Sequence, residues 1–94
     1  MEVRILIQGD LQKKAGTKKI RTPIEDQETI DTLLIKISRR APKLVETILD
    51  PRTGDLNEDF EVLLNGRSIQ QLSGLHTRLK DEDEVTITPA ETEE

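Results

Sequence analysis

The sequence of 94 residues contains no cysteine, no tryptophan and no tyrosine, and Phe60 is its single phenylalanine. Without cysteine there is no disulfide framework, no thiolate metal site and no thiol nucleophile, so a reducing compartment, the cytoplasm, is the expected location. One histidine and no cysteine also leave zinc without a nitrogen and sulfur ligand set. With one aromatic ring, the core has to be aliphatic. No apolar run approaches the roughly 18–20 residues that cross a bilayer, and Met1-Glu2-Val3-Arg4 lacks the basic and then apolar layout of a secretory signal. No membrane partner is expected. Glycine-rich phosphate loops of the P-loop or dinucleotide type are missing as well.

What is present is charge. Charged residues make up 35% of the chain and the formal net charge is −5. That balance argues against nucleic acid as the main partner, because duplex binding draws on a basic surface that displaces counterions. The distribution is uneven: residues 1–24 carry Arg4, Lys13, Lys14, Lys18, Lys19 and Arg21 against Glu2 and Asp10, whereas residues 80–94 carry Lys80 against seven carboxylates. Both segments read as solvated surface, with an acidic end that docks on a basic partner as the alternative.

At this length one domain is expected, spanning residues 1–89 and followed by a flexible acidic tail, 90–94. Val3, Ile5 and Ile7 alternate with Arg4, Leu6 and Gln8, the period of a strand with one buried face. Gly9-Asp10 breaks it, a lysine-rich loop ends at Gly16, and Ile20, Thr22 and Ile24 resume the alternation. These two strands are expected to form a hairpin with a long loop. Ile30, Leu33, Leu34, Ile37 and Ala41 fall on one stripe of a helix, with Thr29 as its N-cap, Asp31 in the first turn, Arg39 and Arg40 near its end and Pro42 as its stop. Leu44, Val45, Ile48 and Leu49 suggest a further short helical piece before the turn-forming Asp50–Asp55 segment. Phe60, Val62 and Leu64 alternate into Asn65-Gly66, the dipeptide suited to a type I′ turn, and a short strand follows. Val85 and Ile87 form the last strand, which Pro89 ends. The order predicts an α+β fold: a mixed sheet of four to five strands with one long helix packed across one face.

No catalytic constellation emerges. His76 is the one histidine, and Ser68 or Ser73 would have to assemble a triad around it without any supporting pattern. Asp50, Asp55, Asn57, Glu58 and Asp59 do not follow the spacing of a calcium loop, since Arg52 and Gly54 occupy ligand positions. The chain is therefore expected to be no enzyme and to carry no metal or cofactor. By parity, Leu6, Leu63, Thr86 and Thr88 point away from the helix if Val3, Val62 and Val85 point toward it. Side by side, those strands would present a small apolar patch rimmed by Arg4, Gln8 and Glu61.

Two segments carry a resemblance: Val62-Leu63-Leu64-Asn65-Gly66-Arg67-Ser68-Ile69, and Gly74 through Ile87. Both resemble the second half of the MoaD/ThiS-type ubiquitin-like sulfur carriers, which include the small subunit of molybdopterin synthase. Val3–Gly16 and Thr29–Leu34 are similar in a more generic way. The resemblance implies a ubiquitin-like β-grasp fold, and a function in which an activating enzyme adenylates a C-terminal Gly-Gly tail that then carries sulfur as a thiocarboxylate. It also implies protein partners, such as a molybdopterin-synthase large subunit or an adenylating activating enzyme, and a carrier that is monomeric when free.

Two departures from that pattern stand out, one at the C-terminal pair and one in the turn before the last strand. Glu93 and Glu94 stand where the family has the two glycines, and their bulk and negative charge would approach an anionic triphosphate in a narrow channel. Adenylation of Glu94 is accordingly disfavoured. Glu82 stands where the family commonly has glycine, and a positive φ there would strain the turn. The expected function is a non-catalytic protein that docks through Leu6, Leu63, Thr86, Thr88, Pro89 and Ala90. The alternatives are a working sulfur carrier or ubiquitin-like modifier with a different natural C-terminus, and a small hydrolase or anion binder using Lys13, Lys14, Lys18 and Lys19.

Overall fold

The computed structural model describes residues 1–90 of the chain. Five strands form one sheet in the order β2-β1-β5-β3-β4: β1 (Glu2–Ile7), β2 (Lys19–Pro23), β3 (Phe60–Leu64), β4 (Arg67–Ser68) and β5 (Glu84–Pro89). β1 and β5 run parallel at the centre, and all other neighbours are antiparallel. The alternating apolar residues do what their parity predicts: Val3, Ile5, Val62, Val85 and Ile87 are fully buried on the inner face. The result is the mixed sheet of a ubiquitin-like β-grasp.

Three helices cover that face: α1 (Leu11–Ala15), α2 (Ile30–Arg40) and α3 (Pro42–Ile48). In α2 the stripe Ile30, Leu33, Leu34 and Ile37 is buried, and truncating any one of them to alanine would cost about 2–5 kcal/mol in lost burial and cavity. Thr29 closes the start of the helix. Its hydroxyl accepts from the Thr32 N–H at 3.5 Å, and the Thr32 hydroxyl accepts from the Thr29 N–H at 3.1 Å, so two otherwise orphaned amides are satisfied. Pro42 stops α2 and opens α3, occupying the first turn where a missing N–H costs nothing. The expected long helix is α2 and the expected short helical piece is α3, while α1 adds a third.

α1 lies inside what the sequence suggested was a plain loop. It is barely more than one turn and buries only Leu11, so it leaves no periodic trace among its lysines. Gly16 ends it at φ 74°, with its N–H donating to the Gln12 carbonyl, a left-handed cap that glycine adopts without strain.

Two turns set the register on the right-hand half of the sheet. Asn65 and Gly66 have φ of 52° and 85°, the pair of positive values that a type I′ turn requires. The turn before β5 is held by its neighbours. The Lys80 N–H donates to Asp83 Oδ2 at 2.7 Å, Asn65 Nδ2 donates to Asp83 Oδ1 at 2.9 Å, and the Glu82 N–H donates to the Glu2 carbonyl at 2.7 Å. This geometry forces Glu82 to φ 66°, the strain its sequence position foretold.

Two buried polar side chains are incompletely satisfied. Thr22 Oγ1 has no hydrogen-bond partner, and neither does Glu28 Oε2. Glu28 Oε1 accepts from Lys36 Nζ at 2.7 Å and from the Glu25 N–H at 3.0 Å. Burial alone would raise the Glu28 pKa, but the Lys36 ammonium and the Glu25 amide outweigh it and hold the carboxyl below its ordinary range.

Candidate docking face

The sheet face turned away from the helices is assembled by register. Leu6 on β1 pairs with Thr86 on β5, and Thr86 pairs with Leu63 on β3. The three side chains therefore stand in one row across three strands, as parity predicted. Thr86 is only 7% exposed, even though it lies on the outer face, because a leucine flanks it on each side. Both leucines are half-buried. The row continues to Lys19 on β2 and Ser68 on β4, so an apolar centre is bounded by a cation on one side and a hydroxyl on the other.

A second part of the face lies toward the end of β5. Here an open groove of about 690 Å³ is lined by Leu63, Thr88, Pro89 and Ala90 together with Gln8 and Glu61. Thr88 pairs with Glu61 and Pro89 with Phe60. The Ala90 N–H donates to the Asp59 carbonyl at 2.9 Å, so the ladder continues through Ala90. Leu63 belongs to both parts, whereas Leu6 and Thr86 lie in the row but outside the groove. Arg4 stands opposite Arg21 on β2 and Glu84 on β5. Glu93 and Glu94 lie outside the described residues.

The groove has walls that strand parity does not supply. Leu56, Asn57 and Glu58 enter from the segment before β3, and Gln70 enters from the single helical turn after β4. Asn57 is placed because its N–H donates to the Ile48 carbonyl and its Oδ1 accepts from the Asp59 N–H. Gln70 follows a Ser68 cap whose hydroxyl accepts its N–H at 3.2 Å. The Asn65-Gly66 turn was the signal for the second of these walls. For the first, only the asparagine and aspartate content of the segment pointed to ordered turns.

The groove residues of this face are apolar, hydroxyl, amide and carboxylate side chains with no nucleophile beside a base. His76 lies away from it in a separate short helical turn (Gly74–His76). Among the described residues, no group of three or more histidines, aspartates or glutamates is arranged to hold a metal ion. Asp50 and Asn57, from the acidic stretch, instead accept backbone amides within their own turns. No helix among the described residues is long and apolar enough to cross a membrane.

The ThiS family pattern matches residues 5–91, nearly the whole chain. The chain belongs to the ThiS family. An Archaeoglobus fulgidus protein named as a sulfur carrier is 32% identical over 82 residues, covering 87% of this chain and 81% of that protein. Small archaeal modifier protein 3 of Haloferax volcanii is 26% identical over 89 residues, covering 95% of each. The crystal structure of SAMP1 from Haloferax volcanii superposes with a TM-score of 0.84 over 100% of both chains at 20% identity, which establishes the shared β-grasp fold. Membership in a ThiS/MoaD-type group of ubiquitin-like sulfur carriers is thus what the resemblance had implied.

Proposed function

We propose that this ThiS family member is a non-catalytic docking protein that binds a partner through the row Leu6–Thr86–Leu63 and the adjoining groove of Thr88, Pro89 and Ala90, without thiocarboxylate chemistry on its tail. The observation that carries the docking reading is the row itself. Two half-buried leucines bracket a nearly dry threonine on a face that the helices leave open. Such a centre already excludes water and needs little further ordering when a partner covers it, which is how small interfaces concentrate their binding energy. Glu93 and Glu94, in place of the diglycine, support the second half of the reading. The fitting partners are an adenylating activating enzyme or a protein of the molybdopterin-synthase large-subunit type, met by a free monomer.

A second reading is a working sulfur carrier or ubiquitin-like modifier, for molybdenum-cofactor or thiamine-type biosynthesis, whose natural C-terminus differs from this one. The names of the relatives favour it. One pair of measurements separates the two. The protein is incubated with MgATP, a ThiS-type activating enzyme and a sulfide donor and then weighed intact; unchanged mass is expected, and an adenylate at Glu94, or a thiocarboxylate formed when sulfide displaces AMP from it, would overturn the claim that the tail lacks carrier chemistry and favour the second reading. Binding to the same enzyme is measured in parallel for Leu6→Asp and Leu63→Asp. Each should weaken affinity by about tenfold or more, the effect of losing 1.4 kcal/mol. Unchanged affinity in both variants would remove the docking face.

A further inference from the structure

A second surface lies at the corner of the sheet where β3 turns into β4. An open hollow of about 450 Å³ there has Leu64, Leu72, Arg67, Arg78, Lys80 and Asp83 in its lining. Leu64 is the cross-strand partner of Arg67, and Leu63 of Ser68, so by parity the hollow lies on the helix side of the sheet and not on the face of the row Leu6–Thr86–Leu63. Each of its three cations leaves a backbone that is already fixed. Arg67 follows the Asn65-Gly66 turn and opens β4. Arg78 bridges Thr29 and lies between two bonds that tie its segment to the start of α2, the Ile30 N–H to the Thr77 carbonyl at 3.0 Å and the Leu79 N–H to the Glu28 carbonyl at 2.7 Å. Lys80 is held by its own N–H on Asp83 Oδ2 at 2.7 Å.

The carboxylates nearest in sequence are turned elsewhere or already used. Asp81 and Glu82 line a different hollow with Arg4 and Arg21, and Glu84 stands opposite Arg4 on the outer face. Asp83 does line this hollow, but its two oxygens accept from the Lys80 N–H and from Asn65 Nδ2 at 2.9 Å. Among the described residues the ion pairs within 4.0 Å are Lys36–Glu28 and Arg52–Asp50. Arg67, Arg78 and Lys80 thus bring three positive charges to one hollow, against one carboxylate engaged in backbone and amide bonds. Its apolar part is half-buried Leu64 together with Leu72, which is 37% exposed and one of three large hydrophobic residues left open among the described residues. An exposed leucine alone is ordinary. Set among three cations, it complements a ligand that joins carboxylates to an aliphatic side chain.

We infer that this hollow docks an acidic peptide segment of a protein partner, whose carboxylates meet Arg67, Arg78 and Lys80 while an aliphatic side chain covers Leu72 and Leu64. An arginine pairs with a carboxylate through two parallel N–H donors, so Arg67 and Arg78 set the register of the segment, and Lys80 adds a point charge. A small anion would meet the cations and leave Leu72 open. Because the three backbones are fixed beforehand, binding orders side chains only, which limits its entropic cost. The site is separate from the row and groove of the outer face, and a partner on that face leaves it accessible.

The probe is the end-capped peptide Glu-Leu-Glu-Glu-Leu-Glu, titrated into the isotope-labelled full chain with amide chemical shifts as the readout. The amides of Arg67, Leu72, Arg78 and Lys80 should shift together with one common affinity, while those of Leu6, Leu63 and Thr86 stay in place. Arg67→Gln/Arg78→Gln/Lys80→Gln should weaken binding about eightfold, roughly twofold for each exposed ion pair lost, and Arg4→Gln/Arg21→Gln should leave it unchanged. Leu72→Ser should weaken binding of this peptide and leave that of Glu-Ser-Glu-Glu-Ser-Glu as it was. Shifts confined to the lysines of α1 or to the outer face would overturn the inference, as would an affinity that the triple substitution leaves intact. So would a Leu72→Ser variant that binds both peptides like the parent. Inorganic phosphate that reproduces the shifts and displaces the peptide at equal concentration would make the hollow a small-anion site and overturn the peptide assignment. Amide dispersion in each spectrum reports that the variant is folded.

Discussion

Replacing Glu82 with glycine should make the protein more stable. Glu82 is the single acidic residue among the described non-glycine positions with positive φ, which are Gln27, Asn65 and Glu82. An L-residue in that region bears a cost of roughly 1–2 kcal/mol from the approach of its β-carbon to the following carbonyl. Glycine removes this cost but adds about 0.4–1 kcal/mol of backbone entropy to the unfolded chain. The Glu82 side chain makes no hydrogen bond or ion pair among the described residues, and the turn is held by backbone: the position 82 N–H to the Glu2 carbonyl at 2.7 Å and the Asp83 N–H to the Lys80 carbonyl at 3.2 Å. Glycine keeps both bonds. The net gain for Glu82→Gly is therefore about 0.5–1 kcal/mol, which in a domain of this size raises Tm by roughly 2–8 °C. Thermal and urea unfolding of Glu82→Gly and Glu82→Ala would be measured side by side. Alanine keeps the left-handed strain and should stay within about 0.5 kcal/mol of the parent, as ordinary surface substitutions do. If alanine stabilised as much as glycine, relief of repulsion among Asp81, Asp83 and Glu84 would be the cause and the strain argument would be wrong. A glycine variant no more stable than the parent would refute it outright.

Thr22→Val deletes a buried hydroxyl that has no partner and should stabilise the fold by about 1 kcal/mol, the cost of an unsatisfied buried polar atom; a loss in urea midpoint would show that the hydroxyl is satisfied in solution. For Glu28 the folded-state pKa lies below the unfolded one, so its stabilising effect is present above the unfolded value and is lost as pH falls through the folded one. Urea midpoints measured from pH 7 down to pH 3 should decline on the acid side, and Glu28→Gln should flatten that decline while lowering stability at pH 7; parallel curves for the two proteins would contradict the assignment. Arg40→Ala frees the Arg21 carbonyl on the outer edge of β2, to which Arg40 Nη1 donates at 3.1 Å, and should raise concentration-dependent self-association as read by sedimentation velocity. An unchanged monomer at all concentrations would mean that the cap is dispensable.

How far the fold could be read in advance depended on whether a residue pattern repeats. The strand alternations of Val3–Ile7, Phe60–Leu64 and Val85–Ile87 and the helical stripe from Ile30 to Ala41 each repeat long enough for period to decide the element, and their inward faces came out as expected. Asn65-Gly66 was legible because a type I′ turn needs two positive φ values and few residue pairs supply them. α1 was not, because a helix with one buried residue has no period to detect. The outer row Leu6–Thr86–Leu63 followed from parity plus the order of strands. The low exposure of Thr86 did not follow, since it depends on how two neighbouring leucines lean. The groove walls at Leu56–Glu58 come from a segment whose path is set by a bridge between Leu49 and Leu56 and by the Ile48 carbonyl, neither of which has a local sequence mark.

The edges of the sheet bear on why a face, and not an edge, is the surface proposed for docking. β4 is two residues long, too short to template another strand. β2 is longer, and each of its outward carbonyls is occupied. Lys19 exchanges bonds with the Thr17 hydroxyl, Arg21 accepts from Arg40, and Pro23 accepts from Lys36 Nζ at 3.2 Å while offering no N–H of its own. The match between helix and strand is metric. Lys36 and Arg40 are four residues apart on α2, a rise of about 6 Å, and Pro23 and Arg21 are two apart on β2, a rise of about 6.6 Å. Two cations on one face of the helix thus fall in step with two carbonyls on one edge of the strand. Lys36 at the same time neutralises buried Glu28, so the bonds that seal the edge also tie α2 to the sheet. With the outward carbonyls of β2 occupied and β4 only two residues long, strand addition is disfavoured at both margins. The side-chain surface proposed for docking is the row Leu6–Thr86–Leu63, in which the two leucines nearly cover the threonine, and the groove beside it.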